Sequence, residues 1–540
     1  MTIESSYATV AYSIYAAMVE AGVQTYQTID ASGNQVVIDG SDIKLGGKWG
    51  EAVSQGNPAI ATTVKTSNAT SNELFLNNST ITLNYAGVAD DSQKTTILSS
   101  VYGATAANNN TTVLTDVDIL VNGTPAQTDE GQLQSVLVAG ASATTVGLTA
   151  NAANGNSLYV IGSTKRVNMG LEGMQSILSA ADIVVTQSAD LQGTVSGNKT
   201  YVQNADLGKT SIYGGRARGY TSGQGVVSQG TALVSNNEVL VQDISADEAT
   251  LVGGFTVRGE TSSNAVTVEG ADITKALLVG GSAEERGTAS QNTVTVSAST
   301  LGTGSSIYGG YVKTGDAGNT AENNTVILGA DVTGTDGGVL QLDALYGGYA
   351  QTAVDGANVA YTGNTLYTAT RLVTQELGGF QHYQFVATQE QLDAGALIEV
   401  TGTKAVVLQA DGDQHSTVAI GGTDITFEVG SSYTLIDSAA GFEDLTGQKL
   451  TAGRDLSGIK TDMVVESLPS VIRIDKTTFT KDDYDLSIVD GANGDQSLVI
   501  DIAGGGSTSS EINSETDALM ESSLSTLTTH FAADDLFVDA

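Results

Sequence analysis

Apolar and polar residues alternate in short runs along most of this chain, and the clearest runs each begin with an asparagine. These runs are Asn237-Glu238-Val239-Leu240-Val241, Asn264-Ala265-Val266-Thr267-Val268, Asn292-Thr293-Val294-Thr295-Val296 and Asn324-Thr325-Val326-Ile327-Leu328. Alternation with a period of two places one set of side chains inward and the other outward, which is the pattern of a strand and not of a helix. The sequence therefore predicts a protein built mostly from strands.

A second phrase, two apolar or aromatic residues followed by two glycines, lies between these runs. Its copies are Ile212-Tyr213-Gly214-Gly215, Leu251-Val252-Gly253-Gly254, Leu278-Val279-Gly280-Gly281, Ile307-Tyr308-Gly309-Gly310 and Leu345-Tyr346-Gly347-Gly348. The first glycines are separated by 39, 27, 29 and 38 residues, so the repeat has a fixed core and loops of variable length. Such repetition indicates a stack of similar coils.

Each residue type in the two phrases has an expected role at the corners of the coils. We expect the paired glycines to supply positive backbone dihedrals, and the asparagines to tolerate the left-handed region while they bond to neighbouring backbone. Because successive coils lie on one another, stacking predicts columns of glycine and of asparagine.

The predicted fold class is all-β: a right-handed parallel β-helix, or solenoid, with a short C-terminal helix. A single coil cannot bury its inner face, but stacked coils bury a continuous apolar column and pair their backbone groups in a ladder. The alternative is an antiparallel sandwich or barrel with Gly and Asn in its turns, but such a fold does not require phrases that repeat.

Changes in pattern divide the chain into four predicted parts. We expect an N-terminal cap at residues 1–30 and a β-helix at 31–397, with its clearest repeats at 211–370. A closing β segment follows at 398–506, and a linker and helix occupy 507–540. The last part is predicted to be helical because Met520, Leu524, Leu527 and Phe531 fall on one helical face.

Charge and composition narrow the range of functions. The chain has 60 acidic and 22 basic residues and a net charge of −38, which disfavours binding to nucleic acid or to anionic lipid headgroups. It contains no cysteine, which excludes disulfides and thiolate chemistry.

The apolar run Tyr7–Val19 is preceded by Glu4 and by no basic residue, so it does not fit a secretory signal. We expect it to cover the first coil as a helix or strand, or an export signal to lie upstream.

The phrases resemble those in the passenger region of Gram-negative autotransporters, of the adhesin type. The alternation of Tyr-Gly-Gly and Asn-x-Val-x-Val phrases is similar to adhesin-type repeats, Gly430–Asp437 is similar to a strand near the passenger's C-terminal end, and Ser514–Val538 is similar to the helix that enters the barrel. The resemblance implies a β-helical passenger at the cell surface, reached through the outer membrane. It also implies an outer-membrane barrel downstream of Ala540.

Residues with catalytic chemistry are sparse in this sequence. The histidines, His382, His415 and His530, lie far apart and match no zinc or Cys-His pattern. Gly315-Asp316-Ala317-Gly318 is the segment nearest to a serine-protease motif and lacks the nucleophilic serine. Carboxylate pairs could serve a glycosidase or lyase, but no spacing singles one out. We therefore predict a protein that is not an enzyme, with no catalytic residues.

Two sets of residues could bind ligands but have simpler interpretations. Asp411-Gly412-Asp413, Asp331 and Asp336 could ligate calcium, although Asp-Gly is ordinary turn chemistry. Tyr213, Tyr308 and Tyr346 could form an exposed ladder for stacking on sugars, although repeated aromatics more often pack on each other. We therefore predict no metal, cofactor or cofactor-binding residue.

The function expected from these features is adhesion or self-association of a surface-displayed protein. Variable loops would supply contacts to a host or bacterial surface receptor, either protein or glycan, and the stack would supply rigid reach. Alternatives from other classes are a β-helical carbohydrate-active enzyme and a structural surface filament.

Overall fold

The computed structural model describes a series of segments along the chain. These are residues 2–4, 9–11, 13–18, 32–45, 59–64, 68–84, 95–100, 106–123, 134–144, 152–185, 192–219, 221–222, 225–226, 231–313, 318–350, 361–409, 415–422, 427–453, 456, 460–462, 476–478, 484–491, 494–503 and 507–509. The predicted terminal helix at Ser514–Val538 lies outside the described residues.

The described chain is nearly all β and is dominated by two long sheets, which confirms the prediction of a strand-built protein. The first sheet has 17 strands. They are Thr2–Glu4, Gln35–Asp39, Glu73–Asn77, Thr111–Thr115, Ser157–Ile161, Val167–Asn168, Lys199–Asp206, Glu238–Ala246, Ala265–Glu269, Asp272–Ile273, Thr293–Ser297, Thr300–Leu301, Thr325–Leu328, Thr365–Thr368, His382–Ala387, Thr417–Gly422 and Lys460–Asp462.

The second sheet has 20 strands. They are Ser13–Met18, Ala59–Val64, Asn68–Thr70, Thr95–Ser100, Ala106–Asn108, Gln134–Thr144, Ala152–Asn154, Met174–Val185, Gln192–Ser196, Lys209–Gly219, Thr231–Ser235, Glu248–Ser262, Ala276–Ser290, Ser305–Val312, Leu340–Ala350, Leu372–Gly378, Ile398–Val400, Ser432–Ser438, Tyr484–Asp490 and Gln496–Ile502.

Smaller elements complete the described structure. A four-stranded sheet contains Thr9–Ala11, Asp42–Leu45, Thr80–Asn84 and Asp118–Asn122. Two-stranded pairs join Thr221–Ser222 to Gly225–Val226, Val406–Val407 to Phe442–Glu443, and Lys476–Thr478 to Ser507–Ser509. The described helices are the 3-10 turn Thr335–Gly337 and the α-helix Gln389–Asp393.

Successive asparagine-led strands pair parallel and in one register. Val239 pairs with Val266, Val266 with Val294, Val294 with Val326, and Val326 with Leu366. An antiparallel sandwich is wrong for these strands, because each repeat lies beside the equivalent residues of the next. The direction changes near the C-terminal side, where Ser432–Ser438 and Tyr484–Asp490 both pair antiparallel with Gln496–Ile502.

The buried apolar residues form one large cluster, the main core, and smaller clusters. We call two of these smaller clusters, both rich in alanine, the minor core. Their members are Ala107, Ala141, Ala153, Ala181, Ile183, Val195, Ala217, Ala232 and Val234, and further along the chain Ala283, Ala289, Val312 and Ala321. Most are small because they lie after the glycine bend or just before the asparagine corner, where two segments of the same coil approach closely.

A column of ten asparagines runs beside these cores and confirms the predicted stacking of asparagine. In each link, the backbone N–H and the side-chain Nδ2 of one asparagine both donate to Oδ1 of the next. Nine links join Asn34, Asn72, Asn110, Asn156, Asn198, Asn237, Asn264, Asn292, Asn324 and Asn364. We call this column the asparagine ladder. Buried amides are satisfied in this way at every coil that it crosses.

The ladder asparagines do not themselves adopt the left-handed conformation, so that expectation is wrong. The residue immediately before each ladder asparagine has positive φ instead, as at Asn236 (56°), Ser263 (54°), Gln291 (58°) and Gly363 (69°). The turn therefore precedes the asparagine, whose side chain is then directed along the stack toward the next coil.

The expected role of the paired glycines is also wrong, because none of the ten glycines in the five phrases has positive φ. They lie within strands and permit close approach. A Cβ on Gly253 would lie 2.5 Å from the carbonyl oxygen of Gly280, and a Cβ on Gly254 would lie 2.5 Å from Cγ of Asn264. Glycine is needed at this column because the ladder and the next strand occupy the space of a side chain.

Two buried tyrosines provide a matched pair for testing the core. Tyr383 is 1% exposed, and its hydroxyl has no hydrogen-bond partner among the described residues. Tyr361 is fully buried, but its hydroxyl bonds to Oγ of Ser416.

We expect Tyr383→Phe to raise the free energy of unfolding by about 1 kcal/mol, since it removes an unsatisfied buried hydroxyl, and Tyr361→Phe to lower it by a similar amount. Chemical denaturation followed by circular dichroism measures both. Equal destabilisation by the two substitutions would contradict the assignment of an unpaired hydroxyl at Tyr383.

Candidate functional site

The strands of the second sheet bend sharply at the paired glycines. Residues three apart in an extended strand point to opposite faces and lie far from each other. Here the ring centroids of Tyr308 and Tyr311 are 4.8 Å apart, and those of Tyr346 and Tyr349 are 5.2 Å apart. The bend therefore folds the two outward side chains toward each other, and successive coils form a lengthwise groove. We call this groove the crease.

Four tyrosines fill the crease on two successive coils, and we call them the tyrosine quartet: Tyr308, Tyr311, Tyr346 and Tyr349. The rings of Tyr308 and Tyr346 stack at 5.6 Å with 7° between their planes, and those of Tyr311 and Tyr349 stack at 5.2 Å with 13°. Offset stacking with this spacing follows from parallel strands in register. The tyrosines pack on each other, which is the simpler of the two interpretations of the repeated aromatics in the sequence.

The sequence prediction named two members of the quartet and missed two. The sequence pattern singles out Tyr308 and Tyr346 as candidates, but not Tyr311 and Tyr349. The signal for them is present, because the phrase Tyr-Gly-Gly-Tyr occurs at both sites. Tyr213, the third candidate, lies elsewhere in the crease and packs edge to face against Phe255 at 5.8 Å.

Hydrogen bonding anchors the deeper side of the quartet. The hydroxyl of Tyr346 donates to Oε2 of Glu376 at 2.8 Å, and Nζ of Lys404 lies 2.9 Å from the same oxygen. Burial, and then the charge and hydrogen bond of Glu376, raise the pKa of Tyr346 above its ordinary value. Burial also raises the pKa of Tyr308. These two hydroxyls therefore stay neutral to a higher pH than an exposed tyrosine does.

Arginine lines the crease next to Tyr213. The guanidinium carbon of Arg216 lies 4.9 Å from the centre of the Tyr213 ring, within range of a cation–π interaction. Asp182, which is 1% exposed, bonds to Nε of Arg218 at 3.1 Å and lies 3.8 Å from Nε of Arg216. A buried carboxylate is thus matched by two guanidinium groups, as burial of charge requires.

Among the residues that the structure describes, the remaining candidates are not gathered into one site. His382 shares a hydrogen bond of 2.7 Å with Thr417, and His415 lies near the turn that precedes Thr417–Gly422. His530, Asp411, Asp413 and residues 315–317 lie outside the described residues. Oδ1 of Asp331 accepts a hydrogen bond from the backbone N–H of Ala298 at 2.8 Å, which fits a turn-stabilising role.

The last of the candidate calcium ligands lies in a short helical turn. Asp336 lies in the 3-10 turn Thr335–Gly337. In the part of the chain that the structure describes, no group of three or more His, Cys, Asp or Glu residues is placed to hold a metal ion.

Comparison with known proteins gives no relative: no protein-family model, curated protein or solved structure matches this chain. Within the described segments, no helix has both the length and the apolar character to span a membrane. The resemblance to autotransporter passengers therefore stays a prediction.

Proposed function

We propose that this chain is the surface-displayed passenger of an autotransporter and acts in adhesion or self-association. The proposal includes a closed, right-handed parallel β-helix as its scaffold. An outer-membrane barrel downstream would carry it to the cell surface. The observation that carries the proposal is a long stack of coils with an outer crease that bears Arg216, Phe255 and the tyrosine quartet at intervals.

The length of the stack supports a role that depends on reach. Thirteen successive parallel pairings run from Thr2–Glu4 to Lys460–Asp462 in the first sheet. With strands about 4.8 Å apart, they extend over about 60 Å. The asparagine ladder spans much of this distance, which supports a rigid and extended scaffold for binding.

The composition of the crease supports a role in contact. Tyrosine and arginine are enriched at protein interfaces because they combine a large apolar surface with hydrogen bonding. Tyr213, Phe255, Tyr311 and Tyr349 are only partly buried, so part of their surface remains available to a partner.

Display on cells tests the function directly. The chain is fused to a heterologous outer-membrane anchor on Gram-negative cells, and the settling of cells and their retention on protein-coated and glycan-coated surfaces are measured. We expect faster settling or greater retention than with the anchor alone, and a loss of that gain in a Tyr311→Ala, Tyr349→Ala variant. The matched control is Thr267→Ala with Thr295→Ala, which changes half-buried outward residues of the first sheet.

Two results would contradict this proposal. If the chain is displayed in the same amount as the anchor alone, and cells neither settle faster nor are retained better, adhesion and self-association are both excluded. Release of sugar products from a polysaccharide by the purified chain would favour a carbohydrate-active enzyme.

A further inference from the structure

Basic residues concentrate at the end of the coils that encloses the minor core. Arg216, Arg218, Arg258 and Arg286 are four of the eight arginines in the whole chain. Arg258 and Arg286 are register partners on adjacent strands, and Lys313 follows the next strand. We call Arg258, Arg286 and Lys313 the basic tip; three carboxylates, Glu260, Glu284 and Glu285, lie beside them on the same strands.

The basic tip forms ion pairs with neighbouring carboxylates that are partly exposed to solvent. Nε of Arg258 lies 2.5 Å from Oε2 of Glu285, and Nζ of Lys313 lies 3.1 Å from Oε1 of Glu284. The paired side chains are 35% and 35% exposed in the first case and 57% and 42% in the second. Exposed pairs of this kind contribute about 0–1 kcal/mol, so a partner's carboxylates can replace the internal ones.

The opposite end of the same coils is acidic. Strand Glu248–Ser262 runs from this end, past the glycine bend, toward the basic tip. We call the following residues the acidic edge: Asp243, Asp247, Glu248, Glu269 and Asp272. Lys209 pairs with Glu248 at 3.3 Å. Burial, and then the negative charges of Asp243 and Asp331, raise the pKa of Glu269, which reflects crowding of like charge between coils.

The basic tip and the acidic edge repeat with the same spacing along the stack, because both lie on parallel strands of the same coils and on the turns that connect them. Arg258 and Arg286 lie on adjacent parallel strands, and so do Ser245 and Asp272, with Asp247 just beyond Ser245. Adjacent strands are about 4.8 Å apart at either end. Two stacks lying side by side therefore align both arginines with carboxylates of successive coils in one register.

We propose that the basic tip of one copy docks against the acidic edge of a second copy, side by side and with the coils in register. This inference rests on the self-association part of the proposed function and assigns it a surface. The interface is heterologous, so a docked pair still presents one unoccupied tip and one unoccupied edge, and the assembly grows as an open row. Phe255 and the tyrosine quartet flank the tip in the crease and add apolar area beside the ionic contacts.

Charge reversal on each surface tests the contact. The tip variant carries Arg258→Glu and Arg286→Glu, and the edge variant carries Asp247→Lys and Asp272→Lys. In sedimentation velocity, we expect the wild-type chain to associate in a way that depends on protein concentration and on salt. We expect each variant alone to associate at least about 10-fold more weakly. An equimolar mixture of the two variants should regain association, because each reversed surface then meets its complement.

A matched control separates local from overall charge. Lys44→Glu with Lys165→Glu gives the same change in net charge as the tip variant at exposed lysines elsewhere, and it should associate as wild type does. Circular dichroism checks that all variants are folded.

The contrary results have distinct meanings. Wild-type association in the tip variant, or no recovery in the mixture, overturns the interface while self-association stands. A wild-type chain that stays monomeric at low salt overturns the interface, and retention on coated surfaces then decides the adhesion part of the proposed function.

Discussion

Replacing Asn264 with alanine is expected to lower the free energy of unfolding by about 3–5 kcal/mol. Asn264 is 1% exposed, and its Oδ1 accepts from both the backbone N–H and Nδ2 of Asn237 at 3.0 and 2.9 Å. Its Nδ2 donates to the carbonyl oxygen of Val234 and to Oδ1 of Asn292. Alanine removes four hydrogen bonds. It leaves the buried backbone N–H of Asn237 without its acceptor and removes one bond each from Nδ2 of Asn237, the carbonyl of Val234 and Oδ1 of Asn292, which is the costly case.

Two comparisons, one beside the asparagine ladder and one at its first member, isolate this effect. Asn236→Gly changes an exposed asparagine with φ of 56°, a conformation that glycine adopts freely, so we expect a change within about 0.5 kcal/mol. Asn34→Ala changes a half-buried asparagine that donates to Asn72, and we expect a smaller loss than at Asn264. Guanidinium denaturation followed by circular dichroism ranks the three variants. A loss at Asn264 no larger than at Asn236 would show that the ladder contributes little.

The strands and the asparagine column could be predicted from the sequence because both depend on local periodicity. Each Asn-x-Val-x-Val phrase contains its own inward and outward alternation, and its repetition indicates which residues are neighbours. The position of the left-handed residue could not be read in the same way. It is occupied by Ser71, Asn109, Gly155 and Gln291 in different coils, so no residue type marks it in the sequence.

The role of the glycines depends on a contact that is distant in sequence. Glycine is suited both to positive φ and to close approach, and the local pattern does not distinguish the two. Only the position of the asparagine ladder opposite the bend decides between them, since Gly215 faces Asn237 and Gly281 faces Asn292. The crease follows from the same contact, because the bend brings the two flanking outward residues together.

Replacing Gly254 with valine is expected to lower the free energy of unfolding by about 3 kcal/mol or more. A Cβ there would lie 2.5 Å from Cγ and 2.6 Å from Nδ2 and Oδ1 of Asn264, so a branched side chain must displace the ladder itself. Alanine should cost less, because Ala180 and Ala181 occupy the equivalent bend in an earlier coil.

The matched control for the valine substitution is Gly170→Val. Gly170 is exposed and has φ outside the positive range, and its nearest contact for a Cβ is 3.5 Å, so we expect a change within about 0.5 kcal/mol. Hydrogen exchange adds a spatial test, because displacement of Asn264 should raise exchange in the coils that bear Asn237 and Asn292 before it affects the coil of Asn110. If valine at position 254 left the unfolding midpoint and these exchange rates unchanged, close packing of the glycine column against the ladder would not be what requires glycine.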